Sequence, residues 1–133
     1  MATFAELDEL ARSLPGVEAR LTSAGRPEYR VRDKSFLLLR EPRPDAVDAE
    51  TGERMDDVLM FRTPGLAVKD DLLADPSLPL FTTPHFRGWP AVLLRARDLP
   101  GVPRDRLREL VFLAWRAQAP KRLVREAEAA GWR

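Results

Sequence analysis

The 133 residues contain no cysteine and a single histidine, and these two shortages exclude much of the usual chemistry of small proteins. Disulfide staples, thiolate metal sites, Cys-His nucleophilic pairs and multi-histidine metal clusters all need side chains the chain does not have. A metal would have to be held by carboxylate oxygens. No stretch approaches the roughly 20 apolar residues of a membrane span. The start, Met1-Ala2-Thr3-Phe4-Ala5-Glu6, has neither the basic residues nor the apolar run of an export signal. These absences predict a soluble, unprocessed protein with the cytoplasm as its default location. Gly-x-Gly-x-x-Gly, Walker-type, Gly-x-Ser-x-Gly and EF-hand spacings are all missing, so the common cofactor and hydrolase readings have no support and none is made.

Charge is present in quantity but nearly cancels: 22 Lys and Arg against 21 Asp and Glu give a net of +1. Its distribution is uneven. Residues 41–75 carry 10 acidic and 4 basic side chains, whereas residues 76–133 carry 11 basic and 5 acidic, which predicts a molecule polar in charge. Arginine outnumbers lysine 19 to 3. Bidentate anion recognition would favour arginine, but a compositional bias of the coding genome accounts for the ratio equally well.

The length fits one domain over residues 1–133. Thr3 and Glu6 have capping-box spacing, Phe4, Leu7, Leu10, Ala11 and Leu14 recur with helical period, and Pro15-Gly16 ends that helix. Val17 to Thr22 alternates too briefly to assign. Glu28 to Arg32 alternates with period two and reads as a half-buried strand, Asp33-Lys34 as a tight turn, and Ser35 to Arg40 as a second, central strand. Glu41 to Asp57, with two prolines, seven carboxylates and Met55 as its one large apolar residue, reads as a solvated connection of low order. Val58 to Arg62 is a third strand. Thr63-Pro64 caps a short helix using Leu66, Leu72 and Leu73. Pro79 to Phe86 and Trp89 to Arg95 are two further extended segments. A helix from Pro103 to Ala117 carries a stripe of Leu107, Leu110, Val111, Ala114 and Trp115, and Pro120 starts a last helix. The predicted class is α+β: a two-layer sandwich of one antiparallel five-stranded sheet with helices on one face. Phe112 and Leu113 fall outside the stripe of their helix, so something other than the sheet should cover them, the terminal helix first and a subunit interface otherwise.

The run Thr83-Pro84-His85-Phe86-Arg87-Gly88-Trp89-Pro90, followed by Ala114-Trp115 and Ala119-Pro120-Lys121, resembles the MmcQ/YjbR family of small bacterial proteins. Leu14-Pro15-Gly16, Gly25-Arg26-Pro27 and Val31 to Phe36 extend the likeness over nearly the whole chain. The resemblance implies a secretion-chaperone-like two-layer fold and a DNA-binding role, and it brings no catalytic residues with it. The chain departs from the family pattern at Ala24, where an aromatic often stands, at Asp33, where the turn often has glycine, and in the length of the acidic connection. Carboxylates in that connection would repel a phosphate backbone if they lay beside the binding face.

For nucleic acid, the candidate contacts are Arg30, Arg32, Arg87, Lys121 and Arg122, with His85 and Trp89 as possible ligand contacts. Arg30 and Arg32 are read as sharing one side of a strand, and the cations at the start of the last helix oppose its dipole and so favour use over stability. Trp89 is read as a core anchor ahead of a base-stacking group, because large aromatics dominate small cores. His85 could act as acid, base or phosphate donor, but a lone histidine without an orienting carboxylate favours a structural role. Asp56-Asp57 and Asp70-Asp71 diverge on any regular element and form no metal site alone. The reading is a non-enzymatic, monomeric protein that needs no cofactor and binds DNA weakly with little sequence preference. A protein-interaction or peptide-holding module, suggested by the apolar run Glu109 to Trp115, is the alternative. An enzyme using His85 and Arg87 stands third.

Overall fold

The computed structural model describes residues 2–133. Thr3 caps helix α1 (Phe4–Ser13) by accepting a hydrogen bond from the Glu6 backbone at 3.2 Å. Strands β1 (Val17–Leu21), β2 (Pro27–Val31), β3 (Lys34–Leu39), β4 (Val58–Arg62) and β5 (Ala91–Arg95) follow one another across a single antiparallel sheet in chain order. Helix α2 (Leu66–Ala74) lies between β4 and β5, and helices α3 (Arg104–Gln118) and α4 (Lys121–Ala129) close the chain. Among the described residues no helix is long and apolar enough to cross a membrane.

The expected α+β class and five-stranded antiparallel sheet are found, with two changes of membership. Val17 to Leu21 is a strand, paired along its length with β2. Pro79 to Phe86 is not a strand. Only Phe81 pairs, opposite Leu93, before Pro84–Phe86 turns in a single 3-10 turn. Proline at positions 79 and 84 removes the donors that a longer ladder would need. Helix α2 also starts later than its sequence suggests: Gly65, at φ 90°, is its cap, and the Thr63 hydroxyl bonds the Gly65 carbonyl instead of a helical N–H. Leu66 is therefore exposed while Leu72 is buried.

One face of the sheet carries Tyr29, Val31, Leu37, Leu39, Leu59, Phe61, Val92 and Leu94 against Leu7 and Ala11 of α1 and Leu107, Leu110, Val111, Ala114 and Trp115 of α3. Burying this many leucine and aromatic side chains, each worth about 1.5–3 kcal/mol, fixes the two layers. The Trp115 indole donates to the Pro15 carbonyl at 3.0 Å, tying α3 to the turn after α1. Phe112 is covered from the C-terminal side by a residue beyond the terminal helix expected to do so, and Leu113 stays partly exposed. Phe112 is buried and stacks between Trp115 and Trp132, each 5.9 Å away, and Trp132 follows α4. The apolar run of α3 is thus absorbed by the core.

The opposite face is covered in part, by a segment expected to be loose. Residues 41–57 form an ordered strap. Val47 pairs with Arg54, Ala46 and Asp48 are buried, and Met55 packs beside Met60, Phe81, Phe86 and Leu93 in a second, smaller apolar cluster. Its order comes from charge. Asp48 accepts from Arg95 at 2.7 Å and Arg97 at 3.3 Å, Asp57 accepts from Arg95 at 2.9 Å, and Asp45 accepts from Arg40 at 2.9 Å and from the Thr83 hydroxyl at 2.8 Å. Apart from Arg40 with Asp45, these partners lie 38 or more positions apart in sequence and leave no local signature.

Candidate nucleic-acid interface

The strand register decides which basic side chains meet. Val31 pairs with Lys34, so the two-residue turn is Arg32-Asp33, both at positive φ (51° and 62°). This geometry matches the twist of the hairpin, and aspartate tolerates it. Arg32 therefore stands exposed on the turn and does not share a strand face with Arg30, contrary to the alternation read from sequence. One residue further back, Tyr29 lies opposite Leu37 and Arg30 opposite Ser35, which leaves Phe36 as an extra residue on β3. The bulge lets Phe36 and Leu37 both enter the helical-side core, and the open face beside Arg30 then carries only the Ser35 hydroxyl.

On the other side of β3, the register that sets Leu37 opposite Phe61 brings Arg62, the last residue of β4, to the same level. Sequence reasoning passed over Arg62, although the alternation Val58, Met60, Arg62 against Leu59, Phe61 already puts it on the open face. Its guanidinium lies 4.9 Å from the centre of the Trp89 ring. Trp89 is 50% exposed, so it is not the core anchor expected of it; it is a ledge stacked on a cation, favourable by about 0.5–1 kcal/mol at an open site. Burial holds the Arg62 guanidinium below its ordinary pKa, but arginine stays cationic. Among the described residues, the buried side-chain polar atoms without a hydrogen-bond partner are Arg30 Nε, Ser35 Oγ and Arg62 Nε. All three belong to this patch. Native interiors rarely leave such groups unmet.

The remaining predicted residues come to the same end of the sheet by different routes. The Gln118 amide donates to the Ser35 carbonyl at 3.1 Å, so the end of α3 lies against the start of β3, and Lys121 and Arg122 follow, both exposed. Arg87 is exposed on the loop that leads to Trp89 and lines a cleft of about 380 Å³ with Asp70 and Thr83, so it approaches from the α2 side. That loop is clamped by Lys69. Lys69 is 4% exposed, its ammonium donates to the carbonyls of Phe86 at 2.6 Å and Trp89 at 2.7 Å, and burial lowers its pKa. Two carboxylates share the patch, Glu18 opposite Arg30 on β1 and Asp33 in the turn.

His85 is placed elsewhere, near the strap. Its ring meets Phe86 edge-on at 5.2 Å and lines a cleft of about 610 Å³ floored by Leu38 and Met60 and walled by Ser23, Arg40 and Asp45. The Arg40 guanidinium in that wall is spent on Asp45 and on the face of Phe86, 4.8 Å away. No group of three His, Asp or Glu side chains among the described residues is arranged to hold a metal ion.

A family model for YjbR matches residues 12–117, which include every strand, α2, most of α3 and the last two residues of α1. The chain belongs to the YjbR family. Similar proteins include uncharacterized proteins of Mycobacterium tuberculosis and Mycobacterium bovis, each 38% identical over 129 residues that cover 93% of this chain and 94% of the relative. No solved structure matches the chain. The family model's span ends before Lys121 and Arg122, whereas Arg30, Ser35, Arg62, Arg87 and Trp89 all lie inside it.

Proposed function

We propose that this YjbR protein is a non-enzymatic domain that binds the phosphate backbone of DNA, weakly and with little sequence preference, at the basic end of its open sheet face. Arg30, Arg32, Arg62, Arg87, Lys121 and Arg122 supply cations, the Ser35 hydroxyl a hydrogen bond, and Trp89 a flat surface for an unpaired base. The observation that carries the reading is the pairing of a half-exposed Trp89 with the Arg62 guanidinium on the open sheet face. A stacking aromatic next to phosphate-binding cations is the combination that sequence-tolerant nucleic-acid binders use. Binding of this kind asks for no catalytic group.

The test is a titration with duplex and single-stranded DNA at about 50 mM salt and upward. About five phosphate contacts give a slope of log affinity against log salt on the order of −4. Arg62→Ala should flatten it by about one unit, and Trp89→Ala should weaken single-stranded more than duplex binding. Absence of binding to either form at roughly 10⁻⁴ M, where nonspecific binders saturate, refutes the proposal. It would shift the weight to the second reading, a peptide-holding module, which the 610 Å³ cleft beside His85 favours.

A further inference from the structure

The two edges of the sheet are treated differently. The β5 edge is closed by the chain itself, because Phe81 exchanges two backbone hydrogen bonds with Leu93, both at 2.9 Å. The β1 edge has no such cover: β1 is the first strand in the sheet order and pairs only with β2. Unprotected edges of this kind are templates for a further strand. In the β1–β2 hairpin Thr22 N–H donates to the Arg26 carbonyl, so by the alternation of an antiparallel ladder Arg20 and Glu18 bond inward to β2. Val17, Ala19 and Leu21 are left with their backbone groups directed away from β2, and of these the Val17 N–H already donates to the Leu14 carbonyl at 3.4 Å. Leu21 is 64% exposed, a large apolar side chain standing at that edge.

We infer that β1 is a self-association edge, on which two copies of the chain pair antiparallel about Ala19. The sequence of the strand, Val17-Glu18-Ala19-Arg20-Leu21, is complementary to itself in that register. Ala19 meets Ala19 of the second copy, and Val17 meets Leu21. Apart from the Val17 N–H, these positions have free backbone groups, so four hydrogen bonds form, two between the Ala19 residues and two from Leu21 N–H to the Val17 carbonyls. Glu18 and Arg20 then face each other twice, at the non-hydrogen-bonded positions where side chains approach most closely. Arg20 reaches this partner from its present place 3.3 Å from Glu28 on the same face. Charged edge residues ordinarily repel an approaching strand; here opposite charges at symmetric positions select one, a second copy of this chain in one register. The result is a continuous ten-stranded sheet and a revision of the monomer expected from sequence.

Sedimentation velocity over about 1 µM to 1 mM, the range in which a small interface exchanges, should show the sedimentation coefficient rising from monomer towards dimer. Glu18→Arg puts like charges opposite Arg20 and should hold the protein monomeric across that range. Leu21→Glu, at an exposed position, should do the same. The double variant Glu18→Arg with Arg20→Glu should regain the dimer. Thermal melts at 1 µM confirm that each variant is folded. A wild type that stays monomeric throughout, single variants that still dimerise, or a double variant that fails to recover each overturns the inference.

Discussion

Lys69 offers the sharpest test of how the candidate interface is built. Its ammonium is buried and donates to two backbone carbonyls, those of Phe86 and Trp89, and so fixes both ends of the turn that presents Arg87 and Trp89. Lys69→Met keeps most of the stem's packing and removes both bonds. Each unmet buried carbonyl costs about 1–3 kcal/mol, and part of that is returned because methionine carries no charge to desolvate, the same burial that lowers the lysine pKa. The expected net loss is about 2–4 kcal/mol. With about 2.1 cal/mol/K of unfolding entropy per residue over 133 residues, each kcal/mol is worth about 3.6 °C, so Tm should fall by about 7–14 °C. Iodide quenching gives an independent reading. Trp115 and Trp132 are buried and Trp89 is half-exposed, so a released turn should raise the quenchable fraction before global unfolding. A Tm drop under about 2 °C with unchanged quenching would refute the clamp.

Two further expectations follow from charge and backbone geometry. The Asp48 carboxyl is held down to about 2 by the Arg95 guanidinium and the Glu50 and Thr51 backbone amides. A depressed folded-state value stabilises the protein fully above pH about 4 and loses that stabilisation as pH falls through about 2, so wild type and Asp48→Asn should differ most near neutrality and converge in acid, as read by urea unfolding at stepped pH. Gly16 sits at φ +70°, and an added Cβ would lie 3.1 Å from Leu123 Cδ1. Gly16→Ala should therefore cost about 1–2 kcal/mol from the left-handed backbone alone, measured as a Tm loss of about 4–7 °C, with α4 the first element to lose amide protection.

The helices and the middle strands were legible because their signals are local. Capping by Thr3, the stripe of α3 and the alternation of β2 all act within a few residues. The misplacements arise where position depends on a single residue or on a distant partner. Arg32 changes sides because the turn starts one residue earlier than the period suggests, and a one-residue shift reverses side-chain direction. The Phe36 bulge breaks alternation inside β3, and nothing in an all-apolar run marks which residue is extra. Trp89 was read by its size, which fits a core, when its actual neighbour is a cation whose importance only the β4–β5 pairing reveals. The strap looked disordered because it lacks apolar residues. Its anchors, such as Arg95 for Asp48, lie 47 positions away.

That strap bears on whether the basic end can work at all, since seven carboxylates in one segment would oppose a phosphate backbone nearby. Two physical facts set the size of the effect. Asp45, Asp48 and Asp57 are already engaged by Arg40, Arg95 and Arg97, which removes much of the excess charge. Asp45 reaches the Arg87 loop through Thr83, but the ion pairs of Asp48 and Asp57 gather at the end of the sheet where Val58 faces Arg95, while Arg62 ends β4 at the other. Four residue steps of strand separate those ends, about 13 Å, against a screening length of about 8 Å at physiological salt. What remains of the strap's field at Arg62 is reduced to roughly a fifth by screening alone. The acidic segment therefore sets the polarity of the molecule without silencing its basic end, and it favours approach of a polyanion by the end that carries Arg30, Arg62 and Trp89.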